Sequence, residues 1–179
     1  MFVADLHNDI LQRAILGEDI TKKTDSGHSD IPRLIKGKIN LEVFVIWITK
    51  QYLKKKAFYR AKQLLDKLFE IEKESKLLKV VRSKNDLDYC VKNSILAAPF
   101  GIEGGECLES DIDNLMYFIE KGLLYIGPTW NYSTSLASSA YDELYNKDKL
   151  KKPGLTKFGL EVLKLCNENQ VIIDVSHIG

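Results

Sequence analysis

Features that place proteins in specialised classes are scarce in this 179-residue sequence. Its three cysteines, Cys90, Cys107 and Cys166, are odd in number and form no Cys-x-x-Cys pair, so we expect reduced thiols. No apolar run approaches the roughly 20 residues of a membrane span. The amino-terminal segment reaches an aspartate at position 5, without the basic and apolar regions of a secretory signal. These absences predict a cytoplasmic protein, and a nucleophilic cysteine is an alternative without further support.

Neither sign of charge is in excess. The chain has 26 lysines and arginines against 25 aspartates and glutamates, which gives a net charge of +1. This balance gives no electrostatic reason to expect nucleic acid or an anionic membrane as a partner. The run Lys54–Lys56 is best explained as the solvated face of a helix, with nucleic-acid contact as the alternative. Residues 1–179, of which 45% are apolar, are expected to form a single domain.

Short β-rich runs alternate along the chain with segments of helical periodicity. Strands are predicted within MFVADL (1–6), INLEVFVIWIT (39–49), NSILAAPFGIEGGE (93–106), LLYIG (123–127) and VIIDVSH (171–177). Helices are predicted within NDILQRAIL (8–16), from about 53 to 76, and within SDIDNLMYFIEKG (110–122) and LTKFGLEVLKLCNENQ (155–170). Ser110 or Asp111 is expected to cap the third helix, Gly122 to end it, and Thr156 to cap the fourth. Such alternation is typical of an α/β fold with a parallel sheet, and residues 128–154 are expected to form a long irregular stretch.

The segment VADLHNDIL (3–11) places polar side chains directly after the first apolar residues. Asp5, His7 and Asp9 alternate, so an extended backbone would point all three to one side. A surface strand has no need of that arrangement, whereas a metal site has. The alternative for this segment alone is a helix N-cap, for which Asn8 or Asp9 is suited. Asp5 is expected either to accept a hydrogen bond behind a metal ligand or to cap the strand.

Three predicted strands end in side chains that can bind a metal. The first ends at His7 and Asp9, the third at Glu103 and the last at His177. The carboxyl ends of parallel barrel strands share one rim, and their imidazole and carboxylate donors suit zinc or a similar divalent ion. A carboxylate can also bridge two ions about 3.5–4 Å apart that share an activated water. Singly, Glu103 could belong to a solvated loop, and His177 could bond to the backbone.

Other polar and flexible positions have weaker functional interpretations. Gly101, Gly104 and Gly105 allow a sharp turn or the approach of a ligand beside the glutamate. They do not form a phosphate-binding loop, because the Gly-Lys-Ser/Thr sequence is absent. We expect His28 to be a hydrogen-bonded loop residue. Asp174 is expected either to orient a metal ligand or to have a structural role.

These residues resemble the motifs of a known family. The segments DLHND, DIPRLIKG, GIEGGE, GLTKFG and IDVSH are similar in order and spacing to those of the membrane (renal) dipeptidase family, over essentially the whole chain. That family consists of zinc metallopeptidases with a (β/α)8 TIM barrel of the metal-dependent amidohydrolase type. The resemblance implies the same fold class, truncated here to about five strands, since a complete barrel takes about 250 residues.

The resemblance also implies a role for each candidate ligand. His7 and Asp9 match the pair that binds the first of two zinc ions, Glu103 matches the bridging carboxylate, and His177 matches a ligand of the second ion. The implied reaction is hydrolysis of a dipeptide's amide bond by a metal-bridging hydroxide, and related members accept a D-residue at the carboxyl side. The implied partners are a small dipeptide and a second copy in a homodimer.

Two departures from the family pattern bear on activity. Trp130 stands where well-known members have a substrate-contacting histidine, so its indole N–H is expected to contact substrate, or its ring only packs the site wall. The family's remaining zinc histidine, its substrate-binding arginine and its catalytic aspartate would lie beyond Gly179. The chain therefore resembles the first part of a longer protein. The alternatives are a hydrolase of another small amide, such as an N-acyl amino acid, and a fragment that is inactive without its complementary part.

Overall fold

The computed structural model of the protein describes residues 1–53, 56–150 and 152–179, and shows a mixed α/β architecture. The strands are β1 (Ala4–Asn8), β2 (Leu41–Trp47), β3 (Leu78–Lys79), β4 (Leu96–Ala97), β5 (Phe100–Glu103), β6 (Leu123–Gly127) and β7 (Ile172–Ile173). The helices are α1 (Leu11–Ala14), α2 (Ile31–Lys36), α3 (Ala57–Glu74), α4 (Lys84–Asn93), α5 (Ile112–Glu120), α6 (Ala140–Tyr145) and α7 (Lys157–Glu168). None of the helices in these described ranges combines the length and apolar character needed to cross a bilayer.

The chain divides into two compact units. The first unit comprises residues 1–46 and 62–101, and the second comprises residues 47–61 and 102–179. Helix α3 and strand β5 each contribute residues to both units. The expectation of a single domain over residues 1–179 stays a prediction.

In the first unit, β2 is the strand that carries the sheet. Strand β1 pairs with β2, β2 with β4, and β3 with β4, all in parallel. Residues Val43–Ile46 of β2 are completely buried, which is the pattern of a parallel strand covered on both faces. The predicted parallel arrangement is therefore confirmed here, and the apolar face of α3 adds Leu64 and Leu68 to the core.

In the second unit, β6 and β7 pair in parallel, with Tyr125 opposite Ile172. Strand β7 has only two residues, so the predicted strand over residues 171–177 is too long. Asp174 is the last residue bonded to β6, since its N–H donates to the carbonyl of Ile126 at 3.0 Å. The chain then turns, and the Asp174 carboxylate accepts from Ser176 N–H. This turn leads to His177, whose side chain lies beside the end of β5.

Helix ends follow the capping rules that the sequence suggested. The Asp111 side chain accepts from Asp113 N–H and caps α5. Gly122 follows the end of α5 with φ +92°, a conformation that glycine adopts without strain. The Thr156 hydroxyl accepts from Gly159 N–H and caps α7. These three local predictions are confirmed.

The long helix and the irregular stretch differ from the predictions in their extents. Helix α3 begins at Ala57 rather than near residue 53, because Lys50–Tyr52 forms a 3-10 turn and the Glu109 carboxylate accepts from the N–H groups of Ala57 and Phe58. Lys54 and Lys55, predicted on the solvated face of the helix, lie outside the described residues. Residues 128–154 are not wholly irregular, since they contain α6.

The three cysteines are free, as the sequence indicated, and the structure shows that they are also buried. Burial raises the pKa of each thiol, that of Cys166 to about 11 and that of Cys107 beyond the usual range of a thiol. Thiolates are the reactive form of cysteine, so these side chains remain protonated near neutral pH. The alternative of a nucleophilic cysteine therefore has no structural support.

Candidate metal centre

The first predicted pair of ligands, His7 and Asp9, lies at the carboxyl end of β1 in the first unit. The His7 Nε2 and Asp9 Oδ2 atoms are 3.7 Å apart, and the two side chains are 40% and 49% exposed. Imidazole nitrogen and carboxylate oxygen are both zinc ligands. The two donor atoms are therefore accessible to solvent and close enough to bind one cation together.

The turn that carries this pair is held by its own side chains. The pairing of β1 with β2 shifts register between Asp5 and Asn8, so a regular strand does not continue through the motif. The Asp5 carboxylate accepts from His7 N–H at 3.3 Å, and the Asn8 side-chain oxygen accepts from Ile10 N–H at 3.1 Å. Asn8 thus starts the turn into α1, as Asn residues commonly do. The N-cap of α1 is Ile10 and makes no side-chain capping bond, so the alternative in which Asn8 or Asp9 caps this helix is wrong.

The second predicted pair, Glu103 and His177, lies in the second unit at the ends of β5 and β7. The Glu103 Oε1 and His177 Nε2 atoms are 3.2 Å apart. Glu103 is only 7% exposed, so its placement in a solvated loop is wrong. A buried carboxylate requires hydrogen-bond donors or cations around it. The short distance shows that the Glu103 and His177 side chains meet, and the convergence of all three strand ends at one rim stays a prediction.

Two glycines after Glu103 make room for this arrangement. Gly104 has φ +87°, which a residue with a side chain rarely adopts. A Cβ atom at Gly105 would lie 2.7 Å from Leu136 Cδ1 and 3.0 Å from the carbonyl oxygen of Pro128. The chain can therefore turn away from the buried glutamate only with glycine at these positions.

His177 is oriented by its backbone. Its φ of +64° is uncommon for a residue other than glycine, and such conformations concentrate at functional sites. Its carbonyl oxygen accepts from the Thr129 hydroxyl at 3.0 Å and from Ala140 N–H at 2.8 Å. These bonds hold the main chain, so the imidazole is left to face Glu103. The alternative that His177 only bonds to the backbone explains the contacts of its main chain, but it does not explain why its imidazole faces Glu103.

Trp130 lies beside this second pair. Its ring centroid is 4.9 Å from that of Trp47, 5.3 Å from that of Tyr132 and 6.4 Å from that of His177. The side chain is half-buried, so part of the indole packs while part stays open. A role in contacting substrate and a role in packing are both consistent with this position.

The donor spacing within each pair fits a zinc ligand set. Zinc bonds of about 2.1 Å in tetrahedral geometry place neighbouring ligand atoms about 3.4 Å apart. The spacing of 3.2 Å between Glu103 and His177 is close to that value. The spacing of 3.7 Å between His7 and Asp9 is slightly wider. Each pair can thus serve one ion, and whether they form one centre stays a prediction.

Two carboxylates near the second pair had not been singled out from the sequence. Glu106 and Glu109 line a polar cavity of about 690 Å³ in the second unit, together with Tyr132 and Ser133. Burial, and then the like charge of Glu103, raise the pKa of the Glu106 carboxyl to about 7. The signal in the sequence was the repetition of glutamate directly after the GIEGGE glycines.

Another missed carboxylate lies in the first unit. Glu42 is completely buried in β2, opposite Asp5 of β1, and neither carboxylate oxygen has a hydrogen-bond partner of normal geometry among the described residues. Burial raises the pKa of Glu42 to about 7; a nearby Asn8 amide offsets part of this shift, and the Asp5 charge adds to it. A single charged residue in an otherwise apolar strand was the available signal.

Among characterised proteins, mouse dipeptidase 3 is 27% identical over 181 residues, which cover 98% of this chain and 36% of the mouse protein. An uncharacterized protein encoded in the PQQ-III 3′ region of Acinetobacter calcoaceticus is 31% identical over 115 residues, which cover 64% of this chain and 36% of that protein. The chain thus spans about a third of the length of these relatives.

Solved structures with similar coordinates include a metallo peptidase from Rhodobacter sphaeroides, liganded with a phosphinate mimic of the dipeptide L-Ala-D-Ala. It superposes with a TM-score of 0.85 and 22% identity, covering all of this chain and 59% of that one. The metallo peptidase dipeptidase AC superposes with a TM-score of 0.86 and 24% identity, covering all of this chain and 57% of that one. These likenesses confirm the (β/α)8-barrel fold class.

The family itself is identified by the sequence as a whole. The predicted resemblance rested on five short motifs and on two ligand pairs whose local geometry has been described above. A model of a protein family also matches the chain, and it uses the whole sequence rather than these motifs alone. Because the model described as membrane dipeptidase (peptidase family M19) matches residues 1–179, the chain belongs to that family.

Proposed function

We propose that the protein is a zinc-dependent dipeptidase in which His7, Asp9, Glu103 and His177 bind two zinc ions. His7 and Asp9 would hold the first ion, His177 would contribute to the second, and Glu103 would contact both. The proposal is supported by family membership over residues 1–179 and by the spacing of the donor atoms within each pair. The observation that carries it is the buried Glu103 carboxylate, whose Oε1 atom faces the His177 Nε2 atom at 3.2 Å.

Zinc would supply a Lewis acid for the scissile carbonyl and a hydroxide nucleophile near neutral pH. The residues of the chain would orient these components. Thr129 and the Ala140 N–H hold the His177 backbone, so the imidazole does not need to reorganise. Trp130 would donate its indole N–H to the oxyanion that develops on the substrate carbonyl. Glu103 would approach the metal ions from a buried position.

Two relatives support a proposed substrate class. Mouse dipeptidase 3 bears the name of that activity, and the Rhodobacter enzyme was solved with a mimic of L-Ala-D-Ala. We propose a small dipeptide as the substrate of this chain also. The three buried free thiols support a cytoplasmic location, and the family resemblance supports a homodimer, which light scattering of the purified protein would test.

Zinc-dependent hydrolysis of L-Ala-D-Ala is the direct test. After removal of metal with a chelator, we expect no hydrolysis, and we expect it to return as two zinc ions bind per chain. His177→Ala should abolish this recovery, whereas His28→Ala, at an exposed loop position, should retain it. Cleavage of N-acetyl-alanine in preference to the dipeptide would support a different amide substrate. Zinc binding without turnover of either compound would indicate that the site needs a complementary chain.

Trp130→Phe is expected to lower kcat by about tenfold with little change in KM, because the ring still packs but the N–H donor is lost. Loss of one oxyanion donor can lower kcat by more than tenfold, but here the metal ions would also stabilise the oxyanion. The matched control is Trp47→Phe, since Trp47 contacts Trp130 edge to face at 4.9 Å. Equal effects of the two substitutions on kcat would assign Trp130 a packing role only.

A further inference from the structure

The polar cavity beside the second ligand pair has an uneven distribution of charge. Glu106 and Glu109 contribute two carboxylates, and Tyr132 and Ser133 contribute hydroxyl groups. Its volume of about 690 Å³ is large enough for a long side chain. Lys50 lies 5.0 Å above the Tyr132 ring, and its interaction with the Tyr132 hydroxyl raises the pKa of the lysine. That cation is therefore already engaged with the tyrosine.

The two carboxylates of the cavity differ in their partners. Glu109 accepts from the N–H groups of Ala57 and Phe58, at 2.9 and 3.3 Å, and so caps α3. Glu106 forms no ion pair among the described residues, and its carboxylate folds back over Gly104. A half-buried carboxylate without a cation is poorly stabilised. Glu106 is thus the group in this cavity that would gain most from a positively charged ligand.

The lining of the cavity is connected to the proposed reaction site by the sequence and by ring contacts within the second unit. Glu106 follows Glu103 by one turn of chain, and the like charge of Glu103 acts on it. Tyr132, which also lines the cavity, contacts Trp130, and the Trp130 ring lies 6.4 Å from that of His177. A substrate held near Glu103 and His177 could therefore extend a side chain into the cavity.

We infer that Glu106 is a specificity-determining residue that selects dipeptides carrying a lysine or arginine side chain. This inference rests on the proposed function, which supplies the dipeptide. The flexible apolar stem of lysine or arginine would pass Tyr132, and the cationic head would meet the Glu106 carboxylate. Such a charge-assisted contact at a half-buried site corresponds to a preference of about tenfold over a neutral side chain of equal length.

Binding measured without turnover tests the inference. In the presence of EDTA, calorimetry would give the Kd of Lys-Ala and Ala-Lys and of their norleucine counterparts, which keep the stem but lack the charge. We expect one lysine dipeptide to bind about tenfold more tightly than its counterpart, and the preference to shrink at high salt. Glu106→Gln should reduce it to less than about twofold, whereas Glu161→Gln, on the exposed face of α7, should leave it intact.

Equal binding of lysine and norleucine dipeptides at both positions would overturn the inference, as would a preference that survives Glu106→Gln or an absence of measurable binding. The proposed function is assessed separately, by hydrolysis of the same four dipeptides after zinc is restored. A Glu106-dependent preference without any hydrolysis would contradict dipeptidase activity of this chain on its own and leave the selectivity of the cavity standing.

Discussion

Glu103→Gln is expected to reduce zinc binding from two ions to less than one per chain and to lower kcat/KM by at least about a hundredfold. One carboxylate would serve two ions, so its replacement by a neutral amide removes charge and a donor oxygen from both. The buried position of Glu103 leaves little room for a water molecule to take over. Metal analysis after dialysis, together with hydrolysis of L-Ala-D-Ala, would measure the two effects.

Asp9→Asn provides the matched comparison. Asp9 pairs with His7 at 3.7 Å in the first unit and would contribute to one ion, so its loss should leave about one zinc per chain. The contrast between losing one ion and losing two is what a bridging role predicts. Full occupancy in the Glu103→Gln protein, or loss of a single ion from both variants, would show that Glu103 does not bridge.

Glu42→Gln is expected to stabilise the protein by about 3 kcal/mol at pH 8 and to have little effect near pH 4.5. The buried Glu42 has its pKa raised to about 7 by loss of solvent. A shift from an ordinary value near 4.5 corresponds to about 3 kcal/mol of unfolding free energy at 1.36 kcal/mol per pH unit. Urea unfolding of both proteins at the two pH values would measure the difference.

The sign of this pH dependence follows from proton binding. Between about pH 4.5 and 7 the folded protein holds a proton on Glu42 that the unfolded chain releases, so the stability from this group is lost as the pH rises through that window. Glutamine cannot ionise and should flatten that part of the profile. Glu161→Gln, at an exposed position, should change the free energy of unfolding by no more than about 0.5 kcal/mol at either pH. A destabilised Glu42→Gln protein at pH 8 would contradict the explanation.

Patterns local in the chain could be predicted correctly because their causes are local. The apolar run of β2 indicated a strand covered on both faces, and Val43–Ile46 are completely buried. Thr156 and Asp111 cap helices because a side-chain oxygen meets N–H groups two or three residues further on. The ends of α3 and β7 were less predictable. Helix α3 begins where Glu109, far along the chain, accepts from its first N–H groups.

The sequence alone thus determined the fold class, the helix caps, the family and the choice of candidate ligand pairs, since these depend on residue type, spacing and order. Only the tertiary structure decided that Glu103 is buried against His177, that Glu42 is buried without a cation among the described residues, and that Glu106 lines a cavity. Burial and the distance between residues remote in sequence arise when strands and helices pack. They set the dielectric environment of a carboxylate, and so its charge, which no local pattern of residues can specify.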